Sequence, residues 1–523
     1  MHVIVPMAGH SRRFQEKGYA PPKALLPIGG RPMIFSVLET FDTRADTFHV
    51  IANEAQVREH PELSGLLRSL AADVRLTVIA RHELGPTYSA LQASGIRDDE
   101  EAIVTYCDFT VDWDYALFLR SVKGRAGAIP AFRGFHPASL GETRYAYMRS
   151  ENGLLRELRE KKSFTADRAR EFASTGTYYF GSWGLFRKYA AELLERRPDG
   201  FKEVYTSLLF NAMVRDGLDV AVTEVDRFVC WGTPEDYEHY LFWEKYFTNT
   251  EVSGEEAATP HQINLIPMAG QGSRFKAAGH RVTKPMISVR GRTMVEAAAS
   301  SFPRSERWIF MPRAEDLREH PIEKALRAFA PGCAVIPVEG DTSGQAATCL
   351  LAKPLLDPSA PLFIASCDYQ TVYDKERWRR LIDDASIDGV IWTFRLGSSL
   401  VRDPRSFAYC RLKPGGAAVD SVVEKETISA DPFADPMAVG SFWYRRAADF
   451  VAGAETMIAD GVKIGGEHYV GTSINCLIAR GKRFVVFDVD QWISFGDPEE
   501  LRVFEYWEDH FHERSRSGAR RAR

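Results

Sequence analysis

The 523-residue sequence lacks the cysteine spacings that would give its thiols a shared role. No C-x-x-C pair occurs, although structural zinc sites and thioredoxin-like redox sites use that spacing. We therefore expect the cysteines to be small buried side chains in a reducing compartment. The chain has seven of them: Cys107, Cys230, Cys333, Cys349, Cys367, Cys410 and Cys476.

The sequence also lacks a long apolar run and an excess of basic residues. A membrane-spanning helix needs about 18 or more apolar residues in succession, and no such run is present. The formal net charge of −5 gives no basic field that would attract nucleic acid. Residue 1 leads directly into an apolar strand pattern and not into a signal peptide. These features predict a cytoplasmic protein that binds neither a membrane nor nucleic acid.

What the sequence does contain is one pattern that occurs twice. An apolar segment is followed by a short Gly-containing turn, an Arg-Phe pair, a lysine and a stretch that ends in methionine. Such a segment is typical of a buried parallel strand that opens into a phosphate-binding loop, because only small residues let backbone N–H groups approach a polyphosphate. The pattern occupies residues 3–14 with 21–33, and again residues 263–275 with 283–294.

The agreement between the two halves continues along their whole length. Matched residues stay close to one constant offset, which indicates tandem duplication of a domain and not a solenoid, whose periods are far shorter. Between the halves, residues 248–262 are polar and nearly free of large apolar side chains, as expected of a linker. The matched pairs are Pro6 and Pro267, Asp108 and Asp368, Glu160 and Glu424, and Asp226 and Asp490.

The sequence thus predicts domain 1 over residues 1–247, a linker over 248–262, domain 2 over 263–512 and a basic disordered tail over 513–523. Strand patterns in domain 1 alternate with helical patterns, which predicts an α/β fold with a mostly parallel sheet flanked by helices. Ligands of such sheets bind beyond the carboxyl ends of the strands. The strand patterns cover 3–6, 49–52, 76–80 and 102–106, and the helical patterns include 33–41, 63–70 and 237–247.

The repeated string, taken with its spacing, resembles the opening of the nucleotidyltransferases that make nucleotide sugars. The resemblance implies two tandem Rossmann-like domains of the GT-A type. Each would transfer a nucleoside monophosphate from an NTP to a sugar 1-phosphate, or to a similar phosphorylated small molecule, and release pyrophosphate. A role in making surface-polysaccharide precursors is a further expectation from the resemblance.

The resemblance also implies which residues act on the nucleotide. Arg13 and Arg274 would hold the leaving phosphates, while Lys23 and Lys284 would bridge the phosphates being joined. The nucleotide would lie against the loop after the first strand and against a Gly-containing segment under the base. The residues implied are Met7, Ala8, Gly9, Ser11, Gly85 and Thr87 in repeat one, and Met268, Ala269, Gly270, Gly272, Gly344 and Ala346 in repeat two.

An aspartate follows an apolar strand in each half, where the resemblance implies a metal ligand. Mg²⁺ prefers carboxylate and phosphate oxygens, so Asp108 and Asp368 are the predicted ligands. The second aspartate that many of these enzymes carry is absent, because Cys230 and Ser494 stand at that position. The substitutes expected from the matched register are Asp226 and Asp490.

A Glu-Lys pair ends an apolar strand pattern in each half, and the resemblance implies that this pair faces the acceptor. The glutamate would accept hydrogen bonds from sugar hydroxyls, and the lysine would neutralise the phosphate. A glycine at the entrance of an aromatic strand would border the sugar. The residues implied are Glu160, Lys161 and Gly176 in repeat one, and Glu424, Lys425 and Gly440 in repeat two. The motifs at 203–205 and 467–469 also recur, but the sequence assigns them no role.

Departures from the family pattern leave other interpretations open. One repeat could be a non-catalytic regulatory domain that binds a nucleotide or sugar. A GT-A glycosyltransferase would use Asp112 and Asp114 as its metal-binding pair, although only Asp374 recurs in repeat two. Ser11 stands in the place of the usual second glycine, and the loop therefore resembles that of the molybdenum-cofactor nucleotidyltransferases. A nucleotidyltransferase of that type is the third interpretation.

Overall fold

A computed structural model describes residues 1–137, 145–196, 203–248, 257–395 and 403–521, with side chains described as far as residue 513. The chain divides into two compact units, Met1–Leu241 and Phe242–Arg523. The predicted linker lies largely outside the described residues, since 249–256 are not among them. Within the described ranges, no helix has both the length and the apolar character needed to span a membrane.

Unit 1 is built on a ten-stranded mixed sheet with the strand order β11-β9-β10-β13-β8-β12-β6-β1-β4-β5. Strands β7 and β14 form a separate antiparallel ribbon, and β2 pairs with β3. The strands are β1 His2–Pro6, β2 Pro27–Ile28, β3 Arg31–Pro32, β4 Thr47–Asn53, β5 Asp73–Ile79, β6 Ala102–Thr105, β7 Phe109–Asp112, β8 Gly127–Phe132, β9 Ala146–Glu151, β10 Leu154–Glu160, β11 Phe172–Ser174, β12 Thr177–Phe180, β13 Val220–Glu224 and β14 Arg227–Cys230.

Helices cover both faces of this sheet, so its central strands are apolar on both sides. In β1, Val3 and Val5 belong to one core cluster and Ile4 to another, because successive side chains of a strand point to opposite faces. The helices are α1 Arg12–Glu16, α2 Met33–Leu38, α3 Glu54–Glu59, α4 Leu63–Leu70, α5 Pro86–Ala90, α6 Tyr115–Val122, α7 Trp183–Arg196, α8 Leu209–Arg215 and α9 Pro234–Thr248. The boundary between the units falls inside α9.

Unit 2 has a nine-stranded sheet, in which the path β19-β18-β15-β20-β25-β22-β26 repeats the order β5-β4-β1-β6-β12-β8-β13 of unit 1. A ribbon of β21 and β27 corresponds to that of β7 and β14. The strands are β15 Ile263–Met268, β16 Ser288–Val289, β17 Arg292–Thr293, β18 Arg307–Pro312, β19 Ala334–Val335, β20 Leu362–Ile364, β21 Tyr369–Val372, β22 Gly389–Phe394, β23 Ala408–Leu412, β24 Val419–Glu424, β25 Met437–Tyr444, β26 Phe484–Asp488 and β27 Gln491–Ser494.

The helices of unit 2 end with one long helix, α18, which begins at Pro498 after the N-cap Asp497. Its backbone continues into the stretch predicted as a disordered tail from residue 513, as far as Arg521, and arginine and alanine in this stretch are good helix formers. The helices are α10 Ser273–Ala277, α11 Met294–Ala299, α12 Ala314–Glu319, α13 Ile322–Phe329, α14 Gln345–Leu350, α15 Lys375–Asp383, α16 Ala447–Ala459, α17 Val470–Ile478 and α18 Pro498–Arg521.

The structure confirms the predicted α/β fold and corrects the prediction of a mostly parallel sheet. Among the described strands of unit 1, the parallel pairings are β1 with β4, β1 with β6, β4 with β5, and β8 with β13. Strand β12 runs antiparallel between β6 and β8. Strands β9 and β10 form a hairpin, because the two-residue turn at Asn152 and Gly153 has φ 51° and 76°. All seven cysteines are free thiols, and most are buried.

Candidate active site

The loop after β1 contains a left-handed residue that brings it against Lys23. Ser11 has φ 53° and ψ 30°, and its Oγ accepts a hydrogen bond from the Lys23 backbone N at 3.2 Å. Gly272 has a similar conformation in unit 2, with φ 61°. A left-handed residue other than glycine costs about 1–2 kcal/mol, and the hydrogen bond of Ser11 offsets part of that cost. Serine therefore preserves the turn.

The carbonyl groups of this loop are held by α3. Gln56 Nε2 donates to Met7 O at 2.8 Å and to Gly9 O at 3.3 Å. The side chains of Met7 and Met268 are buried in the cores of their units, so only their backbone can face a nucleotide. The remaining predicted loop residues are Ala8, which is buried, Ala269, which is half-buried, and Gly270, which is exposed.

Lys23 and Asp108 form an ion pair beside this loop. The Lys23 Nζ lies 2.5 Å from Asp108 Oδ2, and both side chains are largely buried. Lys23 opens a single 3-10 turn, and Asp108 connects β6 to β7. Burial alone would lower the pKa of the Lys23 ammonium, but the Asp108 carboxylate holds that pKa above its ordinary value. Lys23 is therefore charged at neutral pH.

Unit 2 has the same pair with additional hydrogen bonds. The Lys284 Nζ lies 2.5 Å from Asp368 Oδ2 and donates to Gly496 O at 3.1 Å. Ser366 Oγ donates to Asp368 Oδ1 at 2.5 Å. Burial would raise the pKa of Asp368, but the Lys284 ammonium and these hydrogen bonds bring it below its ordinary value. The structure thus brings together the lysine and the aspartate predicted for each half.

The predicted arginines stand on the short helices that follow the two loops. Arg13 on α1 and Arg274 on α10 are exposed, and each acts electrostatically on the lysine of its own unit. The two differ in their partners. Arg274 Nη1 lies 3.4 Å from Asp497 Oδ2. Among the residues that the structure describes, no carboxylate forms an ion pair with Arg13.

The second metal ligand predicted for unit 1 is wrong. The Asp226 backbone N donates to Asp112 O at 3.0 Å, at one end of the β7–β14 ribbon. Asp108 is at the other end, where its carbonyl accepts from Trp231 N at 2.7 Å. The ribbon is four residues long, which is roughly 13 Å at the rise of a strand. Asp226 therefore cannot share a metal ion with Asp108.

The same correction applies to Asp490 in unit 2. Its backbone N donates to Val372 O at 2.8 Å, while Phe495 N donates to Asp368 O at 2.8 Å at the opposite end of the β21–β27 ribbon. The Asp490 carboxylate lies 3.7 Å from Arg377. Asp490 thus belongs to a surface ion pair away from the site.

A different carboxylate borders the site of unit 2. Glu500 Oε2 lies 3.1 Å, and Asp368 Oδ2 3.8 Å, from the place that a Gly496 Cβ would occupy. Ser494, which stands where the family's second aspartate is usual, donates through Oγ to Glu500 Oε2 at 2.6 Å. Burial raises the pKa of Glu500. Glu500 therefore places a carboxyl group close to Ser494, the position at which the family usually has an aspartate.

Asp236 has the corresponding place in unit 1. It accepts a hydrogen bond from Thr233 Oγ1 at 2.8 Å and faces the Cys230 thiol at 4.0 Å. A Cβ at Gly232 would lie 3.1 Å from Asp108 Oδ2 and 3.4 Å from Cys230 Sγ. Sequence reasoning missed both acids, although each stands three residues after a helix N-cap at matched places in the two halves.

These donors fit Mg²⁺, which prefers carboxylate oxygens and keeps several waters. Among the described residues, no group of three or more His, Cys, Asp or Glu side chains is arranged to hold a metal ion. One or two carboxylates together with phosphate oxygens are a common way of holding Mg²⁺ against a nucleotide.

The alternative metal pair, Asp112 and Asp114, has other contacts. Asp112 lies 3.5 Å from Arg227, and Asp114 caps α6 by accepting from Leu117 N at 2.8 Å. Neither carboxylate is near Asp108, because the length of β7 separates them. This arrangement disfavours the glycosyltransferase interpretation.

In unit 1 the recurrent motif at 203–205, together with the 3-10 turn that follows it, provides partners for the Glu-Lys pair. The Lys161 Nζ donates to Tyr205 Oη at 2.8 Å and lies 4.5 Å from the centre of its ring. Ser207 Oγ donates to Glu160 Oε2 at 2.5 Å. Burial raises the pKa of Glu160. The motif at 203–205, to which the sequence assigned no role, thus positions Lys161, the lysine predicted to face the acceptor.

Unit 2 repeats this arrangement around Glu424 and Lys425. The Lys425 Nζ lies 5.0 Å from the centre of the Tyr469 ring. Burial raises the pKa of Glu424 to about 7. Gly471 makes room for this carboxylate, since a Cβ there would lie 2.5 Å from Glu424 Oε1.

The segments predicted to lie under the base pack directly against these motifs. Gly85 has φ 92°, and a Cβ there would lie 2.6 Å from Val204 N. Gly344 has φ 127°, and a Cβ there would lie 2.5 Å from His468 N. Only glycine permits this approach of two backbones. The hydrogen bonds that accompany it run from Thr87 N to Val204 O at 3.4 Å and from Ala346 N to His468 O at 3.0 Å.

The two glycines predicted to border the sugar pack on the residue that follows the site aspartate. Gly176, with φ 97°, would place a Cβ 3.0 Å from Phe109 Cε1. Gly440, with φ 93°, would place one 3.7 Å from Tyr369 Cε1. Both glycines therefore lie close to Asp108 or Asp368 in the fold.

Comparison with known proteins finds similarity to nucleotidyltransferases over part of the chain. Residues 3–170 match the model of the MobA-like NTP transferase domain. The bifunctional protein GlmU of Cupriavidus taiwanensis is 25% identical over 301 residues, which cover 56% of this chain and 57% of that protein. GlmU of Cupriavidus necator is 24% identical over 298 residues, with the same coverage. The chain therefore matches little more than half the length of these relatives.

Solved structures show similarity to about half of the chain. The nucleoside-diphosphate-sugar pyrophosphorylase of Vibrio cholerae RC9 is 24% identical, with a TM-score of 0.38, and the match covers 46% of this chain and 98% of that one. The inositol-1-phosphate CTP transferase of T. maritima is 14% identical, with a TM-score of 0.38. That match covers 48% of this chain and 97% of the transferase. The chain is thus similar to a MobA-like NTP transferase domain over residues 3–170 and to the GlmU proteins over about 300 residues.

Proposed function

We propose that the chain transfers a nucleoside monophosphate from an NTP to the phosphate of a sugar 1-phosphate, or of a similar phosphorylated small molecule, and releases pyrophosphate. The observation that carries the proposal is the lysine–aspartate ion pair beside the loop after the first strand of each unit. The match to GlmU and to the MobA-like NTP transferase domain supports the same reaction class.

This reaction depends on positive charge and on alignment of the attacking phosphate, and it needs no general base. A phosphate monoester is already an anion near neutral pH, so it can attack the α-phosphorus of the NTP without losing a proton to the protein. The bond from the α-phosphorus to the bridging oxygen breaks, and pyrophosphate leaves with that oxygen. Lys23, held charged by Asp108, would donate to the phosphate oxygens being joined. Arg13 would bind the leaving phosphates.

Asp108 and Asp368 would hold Mg²⁺, with Glu500 as a further carboxylate in unit 2. Bound there, Mg²⁺ would neutralise charge on the triphosphate. The carboxylate oxygens of these residues match its preference for hard ligands, and the buried lysine beside each aspartate keeps that carboxylate oriented toward the site.

On the acceptor side, Glu160 would accept hydrogen bonds from hydroxyl groups and Lys161 would bind the acceptor phosphate. Tyr205 holds the lysine in place, since it both accepts a hydrogen bond from Nζ and offers its ring face. Glu424, Lys425 and Tyr469 would do the same in unit 2. Supply of a nucleotide sugar for a surface polysaccharide is the pathway role we propose for the product.

Pyrophosphate release tests the proposal. The full chain is incubated with each NTP in turn and with a panel of phosphorylated sugars and polyols, in the presence of Mg²⁺. We expect release that requires both an NTP and an acceptor, and a nucleotide-linked product of the corresponding mass. Release without an acceptor, or no release with any pair, would overturn the proposed reaction.

A further inference from the structure

The N-cap residue of the last helix in unit 2 is a carboxylate that contacts the arginine of the same site. Asp497 Oδ1 accepts hydrogen bonds from the backbone N of Glu499 at 2.9 Å and of Glu500 at 3.0 Å. These bonds fix the side chain, and its other oxygen lies 3.4 Å from Arg274 Nη1. The negative charge is thus held beside the cation that would bind the leaving phosphates.

Unit 1 has a neutral residue at this position. Thr233 caps α9, where its Oγ1 donates to Asp236 Oδ2 at 2.8 Å and accepts from Asp236 N at 3.2 Å. Within the described part of the chain, Arg13 forms no ion pair with a carboxylate. The two units therefore differ by one fixed negative charge next to otherwise equivalent arginines.

The lysine of unit 2 is also engaged by the segment that carries Asp497. Lys284 Nζ donates to Gly496 O at 3.1 Å in addition to its ion pair with Asp368. Both cations of the unit 2 site are thus bound by residues 496–497. An incoming triphosphate would have to displace these contacts and would be repelled by the Asp497 carboxylate.

We propose that Asp497 lowers the affinity of unit 2 for the triphosphate and its pyrophosphate product, which makes unit 1 the principal nucleotide site. This inference rests on the proposed function, because it assumes that Arg13 and Arg274 bind the leaving phosphates. It assigns unequal roles to two units with the same strand order, and it traces the difference to one exchange, Thr233 against Asp497.

The test measures binding of magnesium pyrophosphate by isothermal titration calorimetry to full-length variants that each retain one site. Lys23→Ala isolates unit 2, and Lys284→Ala isolates unit 1. Adding Asp497→Asn to Lys23→Ala removes the charge and keeps a good N-cap, so we expect about two- to fivefold tighter binding at low salt. Adding Thr233→Asp to Lys284→Ala should weaken binding by a similar factor.

A matched control is Asp374→Asn. Asp374 is the N-cap of α15 and accepts from Glu376 N and Arg377 N at 2.9 Å, at the far end of the ribbon from Asp368. In the Lys23→Ala background this change should leave pyrophosphate affinity unaltered. Because the Arg274 side chain of this pair is 69% exposed, the gain from Asp497→Asn should shrink on raising NaCl from about 20 to 300 mM.

Two outcomes separate this inference from the proposed function. If each lysine variant loses pyrophosphate binding at its own site but Asp497→Asn does not tighten the remaining one, the unequal roles are refuted and the reaction stands. If neither lysine variant changes pyrophosphate binding or release, the proposed function and this inference are both overturned.

Discussion

The Lys23 ammonium and the Asp108 carboxylate are 85 residues apart in the chain and form an ion pair of 2.5 Å. They meet because β1 and β6 are parallel neighbours, so the segments that follow the two strands lie at the same edge of the sheet. Lys284 and Asp368 repeat the pair in unit 2.

Replacing either lysine by alanine should remove most turnover from its own unit. Loss of one preorganised charge donor typically costs about 10²-fold or more in rate, so Lys23→Ala and Lys284→Ala should each lower pyrophosphate release from one site by that factor. The double variant should be inactive. Lys353→Ala, which breaks an exposed pair with Glu455, serves as the control. Full activity of the double variant would contradict the site.

Glu500→Gln should weaken the response to Mg²⁺ in unit 2, because Glu500 and Asp368 border the same point at Gly496. Loss of one carboxylate near a metal should raise the Mg²⁺ concentration for half-maximal activity by about tenfold. Asp490→Asn should have no such effect, since its carboxylate pairs with Arg377. The measurement is a Mg²⁺ titration in the Lys23→Ala background. Equal shifts in both variants would restore Asp490 as a ligand.

Gly85→Ala should destabilise the protein more than a change of conformation alone explains. The new Cβ would lie 2.6 Å from Val204 N at φ 92°, so both a steric clash and left-handed strain apply, together about 3 kcal/mol. Gly124→Ala isolates the strain, because Gly124 has φ 79° and no atom lies within 4 Å of the Cβ that alanine would add. This variant should lose about 1 kcal/mol of unfolding free energy. Urea unfolding of the two variants provides the comparison. Equal losses would show that the Val204 contact is unimportant.

Glu424 should make stability depend on pH. Burial raises its folded-state pKa to about 7 from an ordinary 4.5, so the folded protein binds more protons than the unfolded chain between these values. Stability from this group is therefore full below about pH 4.5 and is lost as pH rises through 7.

Relative to Glu424→Gln, the wild type should lose up to about 3 kcal/mol of unfolding free energy between about pH 4.5 and 8. Chemical denaturation at several pH values measures this difference. The exposed Glu426→Gln is the control and should follow the wild type. A constant difference between wild type and Glu424→Gln would show that Glu424 does not change its charge in this range.

Much of the fold could be predicted from local sequence. The strand patterns at 3–6 and 49–52 correspond to β1 and β4, and the helix predicted over 63–70 is α4. The antiparallel part of the sheet was not predicted, although the Asn152–Gly153 dipeptide is a hairpin signal. Strand β12 gives no such local signal, because its place between β6 and β8 depends on long-range pairing.

The site was predictable where it depends on strand ends and unpredictable where it depends on register. The place of Asp108 beside Lys23 could be predicted because Asp108 follows a buried strand. Asp226 was misassigned because proximity to Gly232 in sequence says nothing about its place along the β7–β14 ribbon. Tyr205 recurs in both halves, yet its contact with Lys161 depends on packing between segments more than forty residues apart.

The contact between Gly85 and Val204 also joins the two segments that the proposed function assigns to the base and to the acceptor. Two backbones that touch, with a hydrogen bond from Thr87 N to Val204 O, cannot slide past each other without breaking that bond. Under the proposed function, the Gly85 segment beneath the base and the segment that carries Tyr205 would then keep a constant separation. The length of the acceptor, more than any closing motion of a loop, would decide which phosphates reach the nucleotide.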